Sequence, residues 1–212
     1  MNMNLDLALL ERWLTGWSLG RGLPLPTRCY GGLTVEVGRP EQLRRHVFVE
    51  AGADLQCCAA QIDEAFVFVK AAVQPEALRA ALPIRWQIEP LHFVMTQGER
   101  RGSASLPLDY QIDLDVENAG HVASVRDANG ELAAIGRAAI HDGSAVFDRI
   151  ETMEAHRRKG LGSVIMYTLD RLACDLGAHE RLLVAADAGR ALYETLGWRV
   201  VAPMSTAVLA KA

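Results

Sequence analysis

A run of basic residues stands directly before two closely spaced glycines and a helical pattern, an order of residue types that could bind an anion. The run His156 to Lys159 is followed by Gly160 and Gly162, and apolar residues then recur on one helical face from Ser163 onward. A helix that begins in a glycine-rich turn leaves several backbone N–H groups unpaired, with the positive end of its dipole behind them. The turn therefore predicts a site for a phosphate-bearing ligand. A solvated basic turn without a ligand is the alternative.

The residue types in the turn suit close contact with a polyanion. Gly160 and Gly162 allow the backbone to approach a ligand, and the basic residues Arg157, Arg158 and Lys159 raise the local positive potential. The turn matches neither the GxxxxGK[ST] motif of the P-loop nor the GxGxxG motif of dinucleotide-binding folds. From the residues alone, the kind of phosphate-bearing ligand stays open.

The segments around the turn predict a mixed α/β fold built on a central sheet. Three alternating segments from Tyr110 onward, with the hairpin dipeptides Asn129-Gly130 and Asp142-Gly143, predict an antiparallel meander whose last strand, 145–153, leads into the turn. The sequence after the turn predicts a helix at 163–176, a buried strand at 181–186, a short helix at 189–197, and one or two terminal strands.

The first half of the chain predicts a separate α+β lobe. Apolar spacing predicts a helix over 5–19, and shorter patterns predict strands at 33–37 and 65–70, a proline-started helix at 75–82 and one extended segment at 86–96. The polar, glycine- and serine-rich residues that follow have no periodicity. We therefore predict an N-terminal lobe over 1–97, a linker or loop over 98–109, and a second domain over 110–212.

Composition argues against several classes of protein. With 22 Lys and Arg against 26 Asp and Glu, the net charge of -4 disfavours nucleic acid or an anionic membrane as the main partner. No apolar run reaches the length of a membrane span, and Asp6 and Glu11 interrupt the first apolar stretch, which is unlike a secretory signal. The four cysteines and the scattered histidines lack metal-ligand spacing, so we expect no metal. We interpret the cysteines as reduced thiols, and without a secretory signal or a membrane span the expected location is the cytoplasm. The basic run 44–46 is interpreted as solvated charge.

The turn and its surroundings resemble the GNAT N-acetyltransferase superfamily. Residues Arg157 to Gly162 match the [Q/R]xxGxG/A signature of that family, and "GRALYETLGW" (189–198) resembles its ALYEKLGF segment. The glycine signature, a helix, a strand and the LYxxLGW segment follow one another in the family's order. The resemblance covers roughly His121 to Val208. It implies a GNAT-like, mostly antiparallel central sheet flanked by helices, in a two-lobed subfamily with an added N-terminal region.

The resemblance implies acetyl-CoA as the cosubstrate. The pyrophosphate would lie on the amides of the turn, namely Arg157, Arg158, Lys159, Gly160, Leu161, Gly162 and Ser163. The backbone of Thr152 and Met153 would pair with the pantetheine amides. Tyr193, in the LYxxLG helix, would act as the acid that protonates the departing thiolate.

The base that removes the amine proton is less defined. Asp148 and Glu151 lie on the strand before the turn, and their odd spacing predicts opposite faces, so that at most one faces the substrate. We expect Asp148 rather than Glu151 to be the base, and a water relay is the alternative.

Ala186 stands where the family often has an asparagine that contacts the cofactor. The pair of helices that usually forms one wall of the acceptor site is missing before the meander, and the first lobe is the candidate to replace it.

The function expected from this resemblance is transfer of an acetyl group to a primary amine, by direct attack of the amine on the thioester. The acceptor would be a small amine or a peptide, which the sequence does not identify. Exposed terminal strands suggest a homodimer. The alternative function is a non-catalytic acetyl-CoA-binding sensor or interaction module.

Overall fold

A computed structural model describes residues 5–99 and 101–209. Within these residues the chain forms five α-helices: α1 (Leu7–Leu19), α2 (Ala53–Ala60), α3 (Pro75–Ala81), α4 (Leu161–Asp175) and α5 (Asp187–Thr195). Twelve strands accompany them: β1 (Thr27–Cys29), β2 (Gly32–Arg39), β3 (Gln42–Phe48), β4 (Val67–Ala71), β5 (Trp86–Ile88), β6 (His92–Gln97), β7 (Tyr110–Glu117), β8 (Gly120–Asp127), β9 (Leu132–His141), β10 (Ser144–Thr152), β11 (Glu180–Ala186) and β12 (Trp198–Leu209).

All twelve strands belong to one sheet. Its order is β1-β2-β3-β4-β12-β6-β11-β10-β9-β8-β7, and the short β5 pairs with the last residues of β12. Two neighbouring pairs, β3 with β4 and β10 with β11, are parallel, and each is joined by a helix that crosses over the sheet. The other pairs are antiparallel. The predicted mixed α/β fold with a mostly antiparallel sheet is confirmed.

The two halves of the chain exchange strands. The β6 strand comes from the first half but pairs with β11, and β12 ends the chain but pairs with β4. The first half of β12 also pairs with β6, so one long strand connects both parts of the sheet. The predicted boundary at residue 97 falls directly after β6. A division into two lobes by chain position stays a prediction, but the strand exchange joins both segments through shared backbone hydrogen bonds.

Helices cover both faces of the sheet around β10. Ala145 and Phe147 pack with α4 and α5 on one face, whereas Val146, between them in the chain, packs with α1 on the other. A third apolar cluster lies under α2 and α3 on the N-terminal strands. The helix α1 is started by Asp6, whose side chain accepts a hydrogen bond of 2.8 Å from the Leu9 amide. These contacts place α1 against the strand that leads into the basic turn.

The predicted elements occur, with three additions and one division. The sequence patterns did not indicate β1, β3 or α2, and the single extended segment predicted at 86–96 is two strands, β5 and β6, separated around Pro90. The solvated reading of residues 44–46 is wrong for two of them. His46 is 5% exposed, and the Nε atom of Arg45 is buried, because β3 is an inner strand of the sheet.

Close packing between α1 and β10 gives a first prediction. A Cβ atom at Gly16 would lie 2.4 Å from Cγ2 and 2.7 Å from Cβ of Val146, so rotation of the valine would not relieve the overlap. We expect Gly16→Ala to lower the free energy of unfolding by about 2 kcal/mol, because overpacking outweighs the gain in helix propensity. Urea denaturation would measure this change.

The matched control is Gly20→Ala at the end of the same helix. A Cβ atom there would meet Ala139 at 3.4 Å, an ordinary contact, and Gly20 has right-handed backbone angles. Its free energy of unfolding should change by less than about 0.5 kcal/mol. Equal losses in the two variants would contradict the proposed packing of α1 on β10.

Candidate functional site

The basic turn has the backbone conformation that a glycine-rich anion site requires. After β10 the chain forms a 3₁₀ turn at Glu154–His156, and Arg158 and Gly160 then take left-handed backbone angles, with φ of 61° and 77°. Gly160 caps α4, and a Cβ atom placed on it would meet nothing within 4 Å, so the space in front of the turn is open. The helix begins without a side-chain cap. Its first amides are therefore left for a ligand or water.

The open amides form a continuous set. The first hydrogen bond of α4 runs from the Val164 amide to the Gly160 carbonyl, at 3.1 Å, and the amides of residues 158–163 have no acceptor among the described residues. The Arg157 amide donates to Glu154 within the 3₁₀ turn. Six consecutive N–H groups at the positive end of a helix dipole fit a diphosphate. This set matches the predicted turn residues except for the Arg157 amide.

A tyrosine that sequence reasoning missed supports the turn from outside. The Tyr110 hydroxyl, at the start of β7, lies 2.9 Å from Nδ1 of His156 and accepts a hydrogen bond of 2.9 Å from Nζ of Lys159. The rings of Tyr110 and His156 pack edge to face, with centroids 5.7 Å apart. These contacts join the turn to an outer strand. No local motif marks Tyr110, because it lies 46 residues from His156 in the chain.

The parallel strands β10 and β11 separate just before the turn. Their pairing ends at Phe147 and Leu183, although β10 continues to Thr152 and β11 to Ala186. A β-bulge in β10 between Asp148 and Glu151, with Arg149 at φ 52°, bends the strand where pairing ends. The resulting gap leaves backbone groups of both strands available for an extended ligand.

The strand edge at this gap is supplied by Thr152 rather than Met153. The Met153 amide donates to the Ala133 carbonyl at 2.9 Å, and its carbonyl accepts from the His156 amide. In an antiparallel ladder consecutive residues direct their N–H and C=O groups to opposite sides, so those of Thr152 face away from β9 and toward the gap. The Thr152 carbonyl has one long contact, 3.4 Å from Nε of Arg157.

The expectation that Asp148 and Glu151 lie on opposite faces is wrong. They pair with Arg137 and Ile135, which are two residues apart on β9 and therefore share a face. The extra residue in the bulge shifts the alternation of β10, which puts both carboxylates on that same face. Glu151 is exposed and lines a shallow groove with Arg137. Asp148 is half-buried and forms an ion pair with Arg21, 2.7 Å from Nε to Oδ2.

Tyr193 lies on α5, buried against aromatic side chains. Its ring centroid is 6.3 Å from that of Trp198, which in turn packs edge to face on Phe147 at 5.3 Å. Burial, with a further effect from the negative charge of Asp148, raises the pKa of Tyr193 to about 12. The hydroxyl has no hydrogen-bond partner among the described residues. It is therefore a protonated donor that a ligand could use.

A cavity of about 150 Å³ lies where the two strands separate, on the face covered by α1. Residues from six elements line it: Trp13, Trp17, Arg45, Lys70, His92, Phe147, Asp148 and Val184. Asp148 and Val184 directly follow the last paired residues of β10 and β11. The first half of the chain, through α1, β3 and β4, thus supplies much of the wall of this cavity.

His92 is a second group that sequence reasoning set aside. It starts β6 directly across from Ala186, the last residue of β11. Its Nδ1 atom lies 2.9 Å from the Pro90 carbonyl, which can only accept, so Nδ1 carries the proton and Nε2 a lone pair. Burial, together with the charge of Lys70, lowers the pKa of His92 below its ordinary value of 6.5. The imidazole is therefore neutral at pH 7.

Two further features of the described residues bear on the site. Across 5–99 and 101–209, no group of three His, Cys, Asp or Glu side chains is arranged to hold a metal ion. In the same part of the chain, no helix is both long and apolar enough to cross a membrane.

Comparison with known proteins identifies the family. The model of the acetyltransferase (GNAT) family matches residues 84–198, more than half of the chain. The chain belongs to the GNAT acetyltransferase family. An uncharacterized N-acetyltransferase of Bacillus subtilis, YjcF, is 32% identical over 97 residues, which cover 46% of this chain and 68% of that protein.

Solved GNAT structures share this fold over most of the chain. A GCN5-related N-acetyltransferase from Kribbella flavida has a TM-score of 0.68 at 16% identity, covering 97% of this chain and 96% of its own. One from Sphaerobacter thermophilus has a TM-score of 0.61 at 11% identity, covering 86% of this chain and 78% of its own. The match extends over the N-terminal half as well as the region of the basic turn.

Membership of the GNAT family confirms the predicted superfamily and enzyme class. The chain is an acetyltransferase of the kind that transfers an acyl group from an acyl-CoA donor to an acceptor amine. The family match includes the turn, the gap between β10 and β11, and Tyr193.

Proposed function

We propose that this GNAT acetyltransferase binds acetyl-CoA at the turn before α4 and transfers its acetyl group directly to a primary amine bound in the cavity beside Asp148. The single observation that carries the proposal is the set of open amides at 158–163, next to the gap between β10 and β11. The donor supplies an activated acetyl thioester, so the protein has to bind and orient the donor and the amine and to transfer the protons.

The residues at the turn fit the donor. The amides of Arg158, Lys159, Gly160, Leu161, Gly162 and Ser163 would hold the pyrophosphate, with the exposed Arg157 and Arg158 side chains as charge partners. The Thr152 backbone would pair with the pantetheine amides, and Met153 would hold the strand end against β9. Backbone amides at the gap would also polarise the thioester carbonyl.

Two groups on opposite faces of the sheet would handle the protons. Tyr193 keeps its hydroxyl proton at neutral pH and would give it to the departing sulfur. On the cavity side, Asp148 is held by Arg21, whereas Nε2 of the neutral His92 can accept a proton from the amine, directly or through a water. We propose His92 as the base and Asp148 as the group that orients the amine. Glu151, exposed beyond the bulge, is the alternative carboxylate.

The test of the proposed function is a pair of measurements on the purified protein. Isothermal titration should detect acetyl-CoA binding in the micromolar range, and a thiol assay with a panel of primary amines should detect CoA release that depends on an amine. Binding without release for any amine would favour the non-catalytic sensor. Absence of binding would exclude the proposed function.

The proposed base predicts a pH dependence. Because burial lowers the pKa of His92, the neutral form that accepts a proton prevails at pH 7 and is lost only below pH 6.5. We expect kcat/KM for the amine to fall on the acid side of 6.5, and His92→Gln to lower it at pH 7 by about 100-fold. A matched His179→Gln change, next to β11 but away from the cavity, should leave the profile unchanged. An unaltered profile in His92→Gln would remove His92 from this role.

Location and assembly are part of the proposal. The four cysteines form no disulfide, which fits a reducing compartment such as the cytoplasm. The β7 strand ends the sheet, and its Leu114 and Val116 are 51% and 66% exposed. An edge strand with exposed apolar side chains favours pairing with another chain, and we propose a homodimer through β7. Light scattering of the wild type and of Leu114→Lys/Val116→Lys would test this assembly.

A further inference from the structure

We infer that the cavity beside Asp148 binds an anionic group of the acceptor, so that the acceptor is a small amine that also carries a carboxylate or a phosphate. This inference rests on the proposed function, because it assigns the amine to that cavity. It comes from the charges that line the cavity and from the guanidinium of Arg45, whose buried Nε atom has no hydrogen-bond partner and which has no carboxylate partner among the described residues.

Arg45 is the group that we expect to bind the anion. Its guanidinium carbon lies 3.9 Å from the centroid of the Trp17 ring, and Nη2 donates to Oε1 of Gln42 at 3.2 Å. Its Nε atom is buried and has no hydrogen-bond partner among the described residues. Burial, with the nearby charge of Arg21, lowers the pKa of Arg45 to about 9, so the side chain is still protonated at pH 7. A cation with an unsatisfied donor therefore faces the cavity.

The other charges at the cavity do not neutralise Arg45. Asp148 is paired with Arg21, and its attraction to Arg45 is smaller than the opposing effects of burial and of Arg21. Lys70 is buried and donates to the hydroxyl of Thr206, and burial lowers its pKa well below 10.5. Neither Arg45 nor Lys70 has a carboxylate within ion-pair distance in the described part of the chain. In either protonation state, Lys70 can donate a further hydrogen bond to an anion.

The free-energy cost of burying a charge favours a state in which an anionic ligand pairs with Arg45. Burying a charge without a partner is strongly unfavourable, so buried charges are normally paired. A carboxylate or phosphate can accept from Nε and a terminal nitrogen of a guanidinium in a two-point contact. Trp17 holds Arg45 in place for such a contact, because its ring is stacked with Arg45 and also with Arg21, at 4.5 Å.

The size of the cavity limits the acceptor. Its volume of about 150 Å³ has room for a small polar molecule, and the same space is bounded by Arg45, Asp148 and the strand gap. An anion at Arg45 and an amine beside Asp148 would therefore belong to one compact molecule. An amino acid or an aminoalkyl phosphate has this chemistry, with the two charged ends a few bonds apart.

Matched pairs of amines test the inference. The pairs are β-alanine with β-alaninamide, glycine with glycinamide, and phosphoethanolamine with ethanolamine, each assayed with acetyl-CoA and the wild-type protein. We expect kcat/KM for at least one anionic member to exceed that of its neutral partner by about tenfold or more. The carboxylate and phosphate pairs show which anion is preferred. If the neutral members, β-alaninamide, glycinamide and ethanolamine, react as well as their anionic partners, the inference is overturned.

Arg45→Met and Arg44→Met are the matched variants. Arg45→Met should abolish the preference for the anionic member, whereas Arg44, next to it but paired with Glu36 away from the cavity, should be replaceable without effect on that preference. Arg45→Lys, which keeps a charge but not the two-point geometry, should retain part of the preference. Arg45→Met should unfold at no lower temperature than the wild type, because it removes an unpaired buried charge.

Titrations separate this inference from the proposed function. If acetyl-CoA binds and the anionic amines neither react faster nor bind to the CoA-saturated protein, the inference is wrong and the proposed function stands. A preference that persists in Arg45→Met also overturns it. If acetyl-CoA itself does not bind, the proposed function fails first.

Discussion

Gly160→Asp/Gly162→Asp should weaken acetyl-CoA binding by about 100-fold or more, which corresponds to roughly 3 kcal/mol. The two aspartates would place negative charge in front of the open amides at 158–163 and fill the space before the turn, where a Cβ on Gly160 meets nothing. Repulsion of the pyrophosphate and loss of close backbone approach act in the same direction. Isothermal titration of the double variant beside the wild type measures the change.

Two controls separate anion repulsion from local strain. Gly130→Asp adds a negative charge at another left-handed glycine, φ 81°, with open space around it in the β8–β9 turn. It should bind acetyl-CoA like the wild type. Gly160→Asn/Gly162→Asn adds similar bulk without charge and should lose only part of the affinity. Binding that survives in the double aspartate variant would move the donor site away from this turn.

Tyr193→Phe should lower kcat by about 100-fold or more and leave the dissociation constant for acetyl-CoA within about threefold of the wild-type value. Phenylalanine keeps the packing against Trp198 and removes only the hydroxyl, which has no partner among the described residues. The departing sulfur would then lose its proton donor. Single-turnover kinetics together with isothermal titration distinguish the two effects.

The pKa of Tyr193 sets the direction of its pH effect. Because burial raises that pKa to about 12, the hydroxyl stays protonated through the neutral range. No loss of activity below about pH 10 should therefore come from Tyr193.

Tyr167→Phe is the matched control for Tyr193→Phe, since the Tyr167 hydroxyl donates to the Arg101 carbonyl beside α4. Equal losses of turnover and affinity in Tyr193→Phe would remove it from the acid role.

The local parts of the fold were predictable from sequence because their signals are contiguous. The glycine turn, the helix after it and the LYxxLGW segment are each read within a few residues, and all lie where the patterns predict them. The bulge in β10 was not predictable, because no glycine or proline marks it and Arg149, at φ 52°, has left-handed angles that a non-glycine residue seldom adopts. The assignment of faces to Asp148 and Glu151 failed for that reason.

The non-local parts of the site were not predictable in the same way. Arg45 and His92 have ordinary surroundings in sequence, and a basic run or a lone histidine is more often a solvated group. Their burial depends on the position of β3 inside the sheet and on the exchange of β6 into the other half of the molecule. Strand order is decided by contacts between distant segments, which a one-dimensional pattern does not contain.

The amino-acid sequence by itself determined the family, the mixed α/β class and the turn that is proposed to bind the donor, because glycines, basic residues and helical period act on the backbone where they stand. The acceptor side came from the three-dimensional arrangement. Its cavity draws residues from Trp13 to Val184 on six elements, and their charges interact only once packing removes water from between them. The buried Nε atom of Arg45, which has no acceptor among the described residues, is a property of that enclosure, and neighbouring residues in the chain do not encode it.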